Sequence, residues 1–148
     1  MNHYTVKRAQ HETEREQALD IRRRVFIHEQ EVPEELEIDE HDLPDAPTIH
    51  VLAIDPKGNA SGTGRLREYE PGIGKIERVA VLSAARGSGI GRLVMEKLER
   101  EAKEQGFHTL KLNAQIQAQP FYERLGYIPH GTTFMDAGIE HIAMVKTM

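Results

Sequence analysis

The glycine-rich segment 86–92, RGSGIGR, has the residue types of an anion-binding loop. It precedes a stretch with helical periodicity. Free backbone N–H groups at a helix start lie at the positive end of the helix dipole, where they bind phosphate. Arg92 stands where both the P-loop and the dinucleotide-binding fingerprint require a glycine, so neither motif is present. The segment therefore predicts a phosphate-binding loop of another type, and a helix-capping turn is the alternative.

Two motifs in this half of the chain resemble the GNAT superfamily of acetyl-CoA-dependent N-acetyltransferases. The first is Arg86-x-x-Gly89-x-Gly91 between a strand and a helix, as in the pyrophosphate loop of that superfamily. The second is AQPFYERLGY, residues 118–127, a short helix with an aromatic pair followed by glycine and another aromatic residue. Nearer the N-terminus, RRRVFIHEQEVP, residues 22–33, resembles the ElaA- and YjcF-like branch of the superfamily. It also resembles part of the acyl-homoserine-lactone synthases, which share the fold.

This resemblance implies transfer of acetyl from acetyl-CoA to a primary amine of a small molecule or peptide, by direct attack in a ternary complex. The pyrophosphate would lie on the loop N–H groups, and the preceding strand would pair its backbone with the pantetheine arm. Asn113 would contact the same arm or order a water, although turn chemistry at a strand end explains it equally well. The cofactor-binding residues so implied are Val79, Ala80, Val81, Arg86, Gly87, Ser88, Gly89, Ile90, Gly91, Arg92, Asn113, Phe121 and Tyr122.

The resemblance also implies two catalytic side chains. Tyr122 has the motif position where the family often places a hydroxyl near the sulfur, and it would be the general acid; a core tyrosine bonded to backbone is the alternative. Glu77, a charged residue in an apolar strand, would be the base, acting through water. Lys75 and Arg78 offer an ion pair as an equally good explanation of that glutamate. A main-chain N–H near Val79 would be the oxyanion donor.

The acceptor side is less well defined. Arg24, Glu29 and Gln30 belong to the N-terminal motif and His141 enters the last strand; each is either a substrate contact or a structural residue. The acidic stretch 31–47, EVPEELEIDEHDLPDAP, either attracts a cationic amine or forms a solvated loop, and the second is favoured. The eight histidines show no metal-ligand spacing, so we expect no metal site.

Periodicity and turn residues indicate the elements that position these side chains. They favour one α/β domain over residues 1–148, and the resemblance implies a mixed, mostly antiparallel, twisted sheet of about six or seven strands flanked by about four helices. The predicted order is a strand near Val6, a helix over 11–30, a loop over 32–47, a hairpin of 49–54 with 61–69, a central strand over 75–82, a helix from 90 to 105, a strand over 108–113, a short helix over 118–125 and a last strand over 141–148.

Composition excludes several classes of protein. A formal net charge of −5 argues against a general nucleic-acid binder. The absence of cysteine excludes disulfides and an acyl-cysteine intermediate. No segment is apolar enough for a signal peptide or a membrane span, so we expect a cytoplasmic protein that does not bind membranes. The superfamily resemblance implies a homodimer.

Two other functions remain open. One is a non-catalytic CoA-binding regulatory module, which an ion-paired Glu77 and a Tyr122 turned away from the cofactor would favour. The other is an acyltransferase that uses a different acyl-CoA or synthesises a lactone, which requires a cavity for the longer chain beyond the thioester.

Overall fold

In the computed structural model, which describes residues 4–148, a seven-stranded sheet is the central layer. Its strand order is β1-β2-β3-β4-β5-β7-β6, and all neighbours are antiparallel except β4 and β5. The strands are β1 Thr5–Arg8, β2 Ile49–Ile54, β3 Ala60–Glu70, β4 Ile73–Val81, β5 Thr109–Gln115, β6 Ile128–Asp136 and β7 Ile139–Thr147.

Four α-helices accompany the sheet in the described residues. They are α1 Glu12–Arg22, α2 Glu34–Glu37, α3 Ile90–Glu104 and α4 Gln119–Arg124. Helix α1 continues directly into a π-helical segment, Arg23–Glu29, and short 3₁₀ turns cover Glu40–Asp42, Ser83–Ala85 and Ile116–Ala118. None of the helices in residues 4–148 is long and apolar enough to cross a membrane.

Helix α3 covers one face of the sheet because its apolar residues recur three and four positions apart. Ile90, Val94 and Leu98 on this face are fully buried. Two glycines of β3 permit the close approach: a Cβ on Gly62 would lie 2.8 Å from Ile90 Cγ2, and one on Gly64 would lie 2.7 Å from Leu98 Cδ1. The contact between α3 and β3 therefore depends on the absence of side chains at these two positions.

Helix α1 covers the opposite face with a smaller cluster. Ala18 and Ile21 pack with Val25, Leu52 of β2 and Ala80 of β4. The π-helical segment changes the path of the chain at the end of α1, and its last bond runs from Gln30 N to Val25 O at 3.2 Å. Such segments often occur at functional sites, and here it directs the end of the helix toward β4.

Strand β4 positions the candidate site through a bulge and a divergence. Thr63 pairs with Ala80 and Arg65 with Glu77, so two β4 residues, Arg78 and Val79, face one residue of β3. Arg78 takes up the bulge with a positive φ of 59°. On the other side, β4 pairs with β5 only over 73–75 and 109–111. From residue 76 onward the two strands separate, leaving main-chain groups of β4 available on that side.

The structure confirms the mixed, mostly antiparallel fold, the hairpin and the strand–loop–helix unit around the glycine segment. It adds β6, which the sequence analysis missed. Strand β6 is an edge strand whose nine residues are all exposed, so it lacks the alternation of buried and exposed side chains by which strands are recognised.

Candidate active site

A cleft of about 510 Å³ opens where β4 and β5 diverge. The π-helical segment and α2 border one side, and the turn between β6 and β7 borders the other. Ten of the residues proposed from the sequence line this cleft: Glu29, Gln30, Glu77, Val79, Ala80, Val81, Arg86, Asn113, Tyr122 and His141. Segments distant in the chain thus contribute to one site.

The glycine loop forms the start of α3. Gly89 is the N-cap residue with φ +87°, a left-handed conformation that favours glycine, and the space around its Cα is open. The first helical bond runs from Leu93 N to Gly89 O at 3.2 Å. The N–H groups of Ile90, Gly91 and Arg92 therefore precede the first bond of the helical ladder and lie at the positive end of the helix dipole. This arrangement fits an anionic group such as pyrophosphate.

The aromatic pair of α4 connects this loop to the cleft. A Cβ on Gly91 would lie 3.3 Å from Phe121 Cζ, so Phe121 packs against the backbone of the loop rather than lining the cleft. Tyr122 does line the cleft, and its ring packs edge-on against Phe121 and Tyr127. Burial raises the pKa of Tyr122 to about 12. Within the described residues its hydroxyl makes no hydrogen bond, so it remains a protonated donor available to a ligand.

Arg86 lies at the junction of loop and cleft. Its Nε donates to the Val81 carbonyl at 3.0 Å, and its Nη2 lies 2.8 Å from a carboxylate oxygen of Glu29. Both members of this ion pair are exposed, so its contribution to stability is small. The pair nevertheless connects the end of the π-helical segment to the glycine loop across the cleft.

Glu77 is held by three cations. Its carboxylate accepts hydrogen bonds from Arg65 Nη2 at 3.0 Å and Arg67 Nε at 2.8 Å, and it lies 3.3 Å from Lys75 Nζ. Burial alone would raise the pKa of Glu77, but the bond from Arg67 and the charges of Arg65 and Lys75 outweigh it and lower the pKa to about 2. A carboxylate with so low a pKa is a weak base, so the geometry favours the ion-pair interpretation. Lys75 is a partner as predicted, but Arg78 is not, because it pairs with Glu37 and Asp39 instead.

The acidic stretch supplies most of the remaining anions of this network. Arg22, which is fully buried, donates to Glu37 at 2.8 Å and to Asp42 at 2.6 Å. Arg65 also bonds Asp39 at 2.8 Å. The full network comprises Arg22, Arg65, Arg67, Lys75 and Arg78 with Glu37, Asp39, Asp42 and Glu77. The interpretation of the acidic stretch as a solvated loop is therefore wrong for these three carboxylates, which bind buried arginines.

Two further sequence predictions need correction. Arg24 does not reach the cleft; it is exposed and pairs with Asp20, one helical turn earlier, at 3.1 Å. Asn113 does not close a strand, because β5 continues to Gln115, so turn chemistry does not explain it. Its side chain lines the cleft and makes no hydrogen bond within residues 4–148.

Comparisons with known proteins decide the family. The family model described as acetyltransferase (GNAT) domain matches residues 9–148. The chain belongs to the GNAT acetyltransferases. The uncharacterized N-acetyltransferase YjcF of Bacillus subtilis is 40% identical over 139 residues, which cover 93% of this chain and 96% of YjcF. The family assignment makes the chain an acyltransferase, and the similarity to YjcF confirms the branch that the N-terminal motif indicated.

Two solved structures show the same GNAT fold. Escherichia coli ElaA superposes with a TM-score of 0.83 at 24% identity, over 99% of each chain. An aminoglycoside 6′-N-acetyltransferase complexed with coenzyme A superposes with a TM-score of 0.74 at 18% identity, over 97% of this chain and 96% of that one. At these identities the likeness concerns the fold alone.

Several residues of this GNAT cleft escaped the sequence analysis. Gln115 forms a reciprocal amide pair with Gln30, with bonds of 2.8 and 3.3 Å, which joins β5 to the end of the π-helical segment. Asp136 lies at the β6–β7 turn, and Phe26 and Leu36 add apolar surface. The alternation of Asn113 with Gln115 in β5 was a usable signal for the glutamine. No comparable sequence signal indicated Asp136, because the strand that carries it, β6, was not predicted. No group of three His, Asp or Glu in residues 4–148 is arranged to hold a metal.

Proposed function

We propose that this GNAT enzyme transfers acetyl from acetyl-CoA to a primary amine by direct attack in a ternary complex, and that residues 1–148 act as one catalytic domain. The observation that carries the proposal is the continuity of three features. Main-chain groups of β4 without a β5 partner and a Tyr122 hydroxyl without a hydrogen bond in residues 4–148 line one cleft, and Arg86, which also lines it, begins the loop that leads to the N-terminus of α3.

These features match the three parts of acetyl-CoA. The pyrophosphate would lie on the N–H groups of Gly87 to Arg92, with Arg86 adding charge. The pantetheine arm would pair with Val79, Ala80 and Val81 as an added strand, because β4 has no neighbour on that side after residue 75. Asn113 would contact the same arm from β5, and Phe121 would stabilise the loop by packing against the backbone of Gly91.

Tyr122 would act at the leaving sulfur. Its pKa of about 12 keeps the hydroxyl protonated at neutral pH, so it can donate to the thiolate as the carbon–sulfur bond breaks. A thiol has an ordinary pKa of about 8.5, so complete proton transfer from tyrosine would be uphill. We therefore assign Tyr122 as an acid that donates a hydrogen bond to the departing sulfur. The proton that Tyr122 gives up is replaced by the one that the amine nitrogen loses. The N–H of Val79, at the bulge, would stabilise the oxyanion.

The acceptor would enter between α2 and the β6–β7 turn. Phe26, Val32 and Leu36 form an apolar wall on the α2 side, and Asp136 lies at the turn on the other side. Among the carboxylates that line the cleft, Asp136 is the one without an ion pair in residues 4–148. This combination favours an amine that carries an apolar body, such as phenethylamine.

A regulatory module without turnover is less well supported. Its first condition is met, because Glu77 is ion-paired, but its second is not, because Tyr122 faces the cleft. Membership in the GNAT acetyltransferases also favours catalysis.

The test is CoA release measured with a thiol reagent. Acetyl-CoA would be combined with phenethylamine, spermidine, lysine and 2,2,2-trifluoroethylamine, with N-acetylphenethylamine as the matched compound that lacks a free amine. We expect release with at least one primary amine and none with the acetylated compound. Release above hydrolysis only with hexanoyl-CoA would instead assign the longer-chain acyltransferase, and no release with any amine would contradict the proposal.

A further inference from the structure

His141 lines the cleft beside the β6–β7 turn. It pairs with Gln115 in the β5–β7 register, so the two side chains share one face of the sheet, the face that the cleft opens on. Only 9% of its surface is exposed. The ring stacks on Phe134 with centroids 5.9 Å apart and an interplanar angle of 23°, which fixes its orientation.

The hydrogen bonding of His141 determines its tautomer. Nδ1 lies 2.7 Å from the carbonyl oxygen of Ile139. Because a carbonyl only accepts, Nδ1 carries the proton, and the neutral ring therefore has its lone pair on Nε2. Nε2 has no partner within residues 4–148 and is not among the buried polar atoms closed off from solvent. The cleft thus contains an oriented imidazole nitrogen that is free to accept a proton.

The other candidate bases in the cleft are occupied or poorly suited. Glu77 and Glu37 are bound to arginines, and Glu29 is paired with Arg86. Asp136 makes no ion pair within residues 4–148 and is exposed at the β6–β7 turn, where its charge suits attraction of an alkylammonium toward the cleft.

We propose that His141 is the general base of this enzyme, a role that rests on the function proposed above. Its Nε2 accepts one proton from the ammonium group of the acceptor, directly or through one water. The neutral nitrogen then forms a bond to the acetyl carbonyl carbon, and the carbon–sulfur bond breaks. Tyr122 donates its proton to the departing sulfur and regains one from the amine nitrogen. The products are the amide, CoA thiol and one proton, which His141 releases to solvent.

The decisive variant is His141→Asn. The asparagine amide can donate to the Ile139 carbonyl as Nδ1 does, but it has no basic nitrogen. We expect kcat with phenethylamine to fall about 100-fold or more, while the Kd of acetyl-CoA stays within about twofold. With 2,2,2-trifluoroethylamine, which is largely neutral already, the loss should shrink to less than about tenfold. His130→Asn, on exposed β6 and outside the cleft, is the matched control and should retain full activity.

The outcomes separate this inference from the proposed function. An equal loss with both amines would overturn the role of His141 as base, as would an undiminished rate. His141→Gln provides a second variant without a base should the asparagine variant fail to fold. If the unsubstituted enzyme binds acetyl-CoA yet acetylates neither amine, nor any other in the panel, the proposed function fails and this inference fails with it.

Discussion

Replacement of Gly89 by glutamate tests the glycine loop as the pyrophosphate site. Its φ of +87° is a conformation that costs an L-residue about 1–2 kcal/mol, which corresponds to a fall in Tm of about 2–8 °C for a chain of this size. The substitution also introduces a carboxylate beside the N–H groups of α3. At about 5 Å from a phosphate and an effective dielectric constant of about 20, one such charge pair repels by about 3 kcal/mol. We therefore expect the Kd of acetyl-CoA to rise more than about 100-fold.

Gly58 provides the matched control. It has φ +88° and open space around it, but it lies in the turn between β2 and β3 and does not line the cleft. Gly58→Glu therefore carries the same backbone cost and the same added charge. A glutamate at position 89 gains about 0.5 kcal/mol from the helix dipole. The Tm of Gly89→Glu should therefore be slightly higher than that of Gly58→Glu.

Calorimetric titration with acetyl-CoA and CoA, together with thermal unfolding, measures both effects. Loss of binding in Gly89→Glu, with binding retained in Gly58→Glu, is the expected result. Equal affinity in both variants would refute the assignment of the loop. It would also refute the inference that the free N–H groups of α3 bind an anion.

Two further substitutions separate catalysis from stability. Tyr122→Phe should slow turnover about 10- to 100-fold with Tm and the Kd of acetyl-CoA nearly unchanged, because the hydroxyl makes no hydrogen bond within residues 4–148. A large fall in Tm would show a structural role instead. Glu77→Gln should lower the free energy of unfolding by about 3–5 kcal/mol, since it leaves Arg65 and its neighbours with excess positive charge. Because the pKa of Glu77 falls from 4.5 to about 2 on folding, its contribution is present above pH 4.5 and lost as the pH drops through about 2. Chemical denaturation across that window should show a weaker pH dependence in the variant, and an unchanged dependence would contradict the ion-pair assignment.

The strand–loop–helix unit around the glycine segment could be predicted from the sequence because its signals are local. The loop, the start of α3 and the strand before it are contiguous, and glycines report directly on backbone conformations that other residues avoid. Gly89 indeed has a positive φ at the N-cap of α3. The same holds for Tyr122, whose place in a short helix follows from neighbouring residues.

The charge network beside the cleft could not be predicted in this way, because it depends on which charges meet across the fold. Arg65 and Asp39 are 26 residues apart, and Arg78 and Glu37 are 41 apart. In the sequence, a carboxylate that will be buried against an arginine looks the same as one that will remain in water. The acidic stretch illustrates this, because its average composition favoured a solvated loop while three of its carboxylates are internal ligands.

This pairing also explains why few side chains in the cleft are able to accept a proton. The network has five cations and four anions, and each of its carboxylates has at least one arginine or lysine partner. Hydrogen bonds and charges from these partners outweigh burial and hold the pKa values of Asp39, Asp42 and Glu77 below their ordinary range, so these three are weak bases. Burial raises the pKa of Glu37, but its carboxylate is bound by Arg22 and Arg78. The bulge at Arg78 strengthens the effect, since Arg78 reaches Glu37 and Asp39 from the same strand that carries Glu77. The fold thus uses its acidic stretch to anchor α2 over the cleft, and the proposed proton acceptor is the imidazole of His141, whose Nδ1 is bound to Ile139 and whose Nε2 has no partner within residues 4–148.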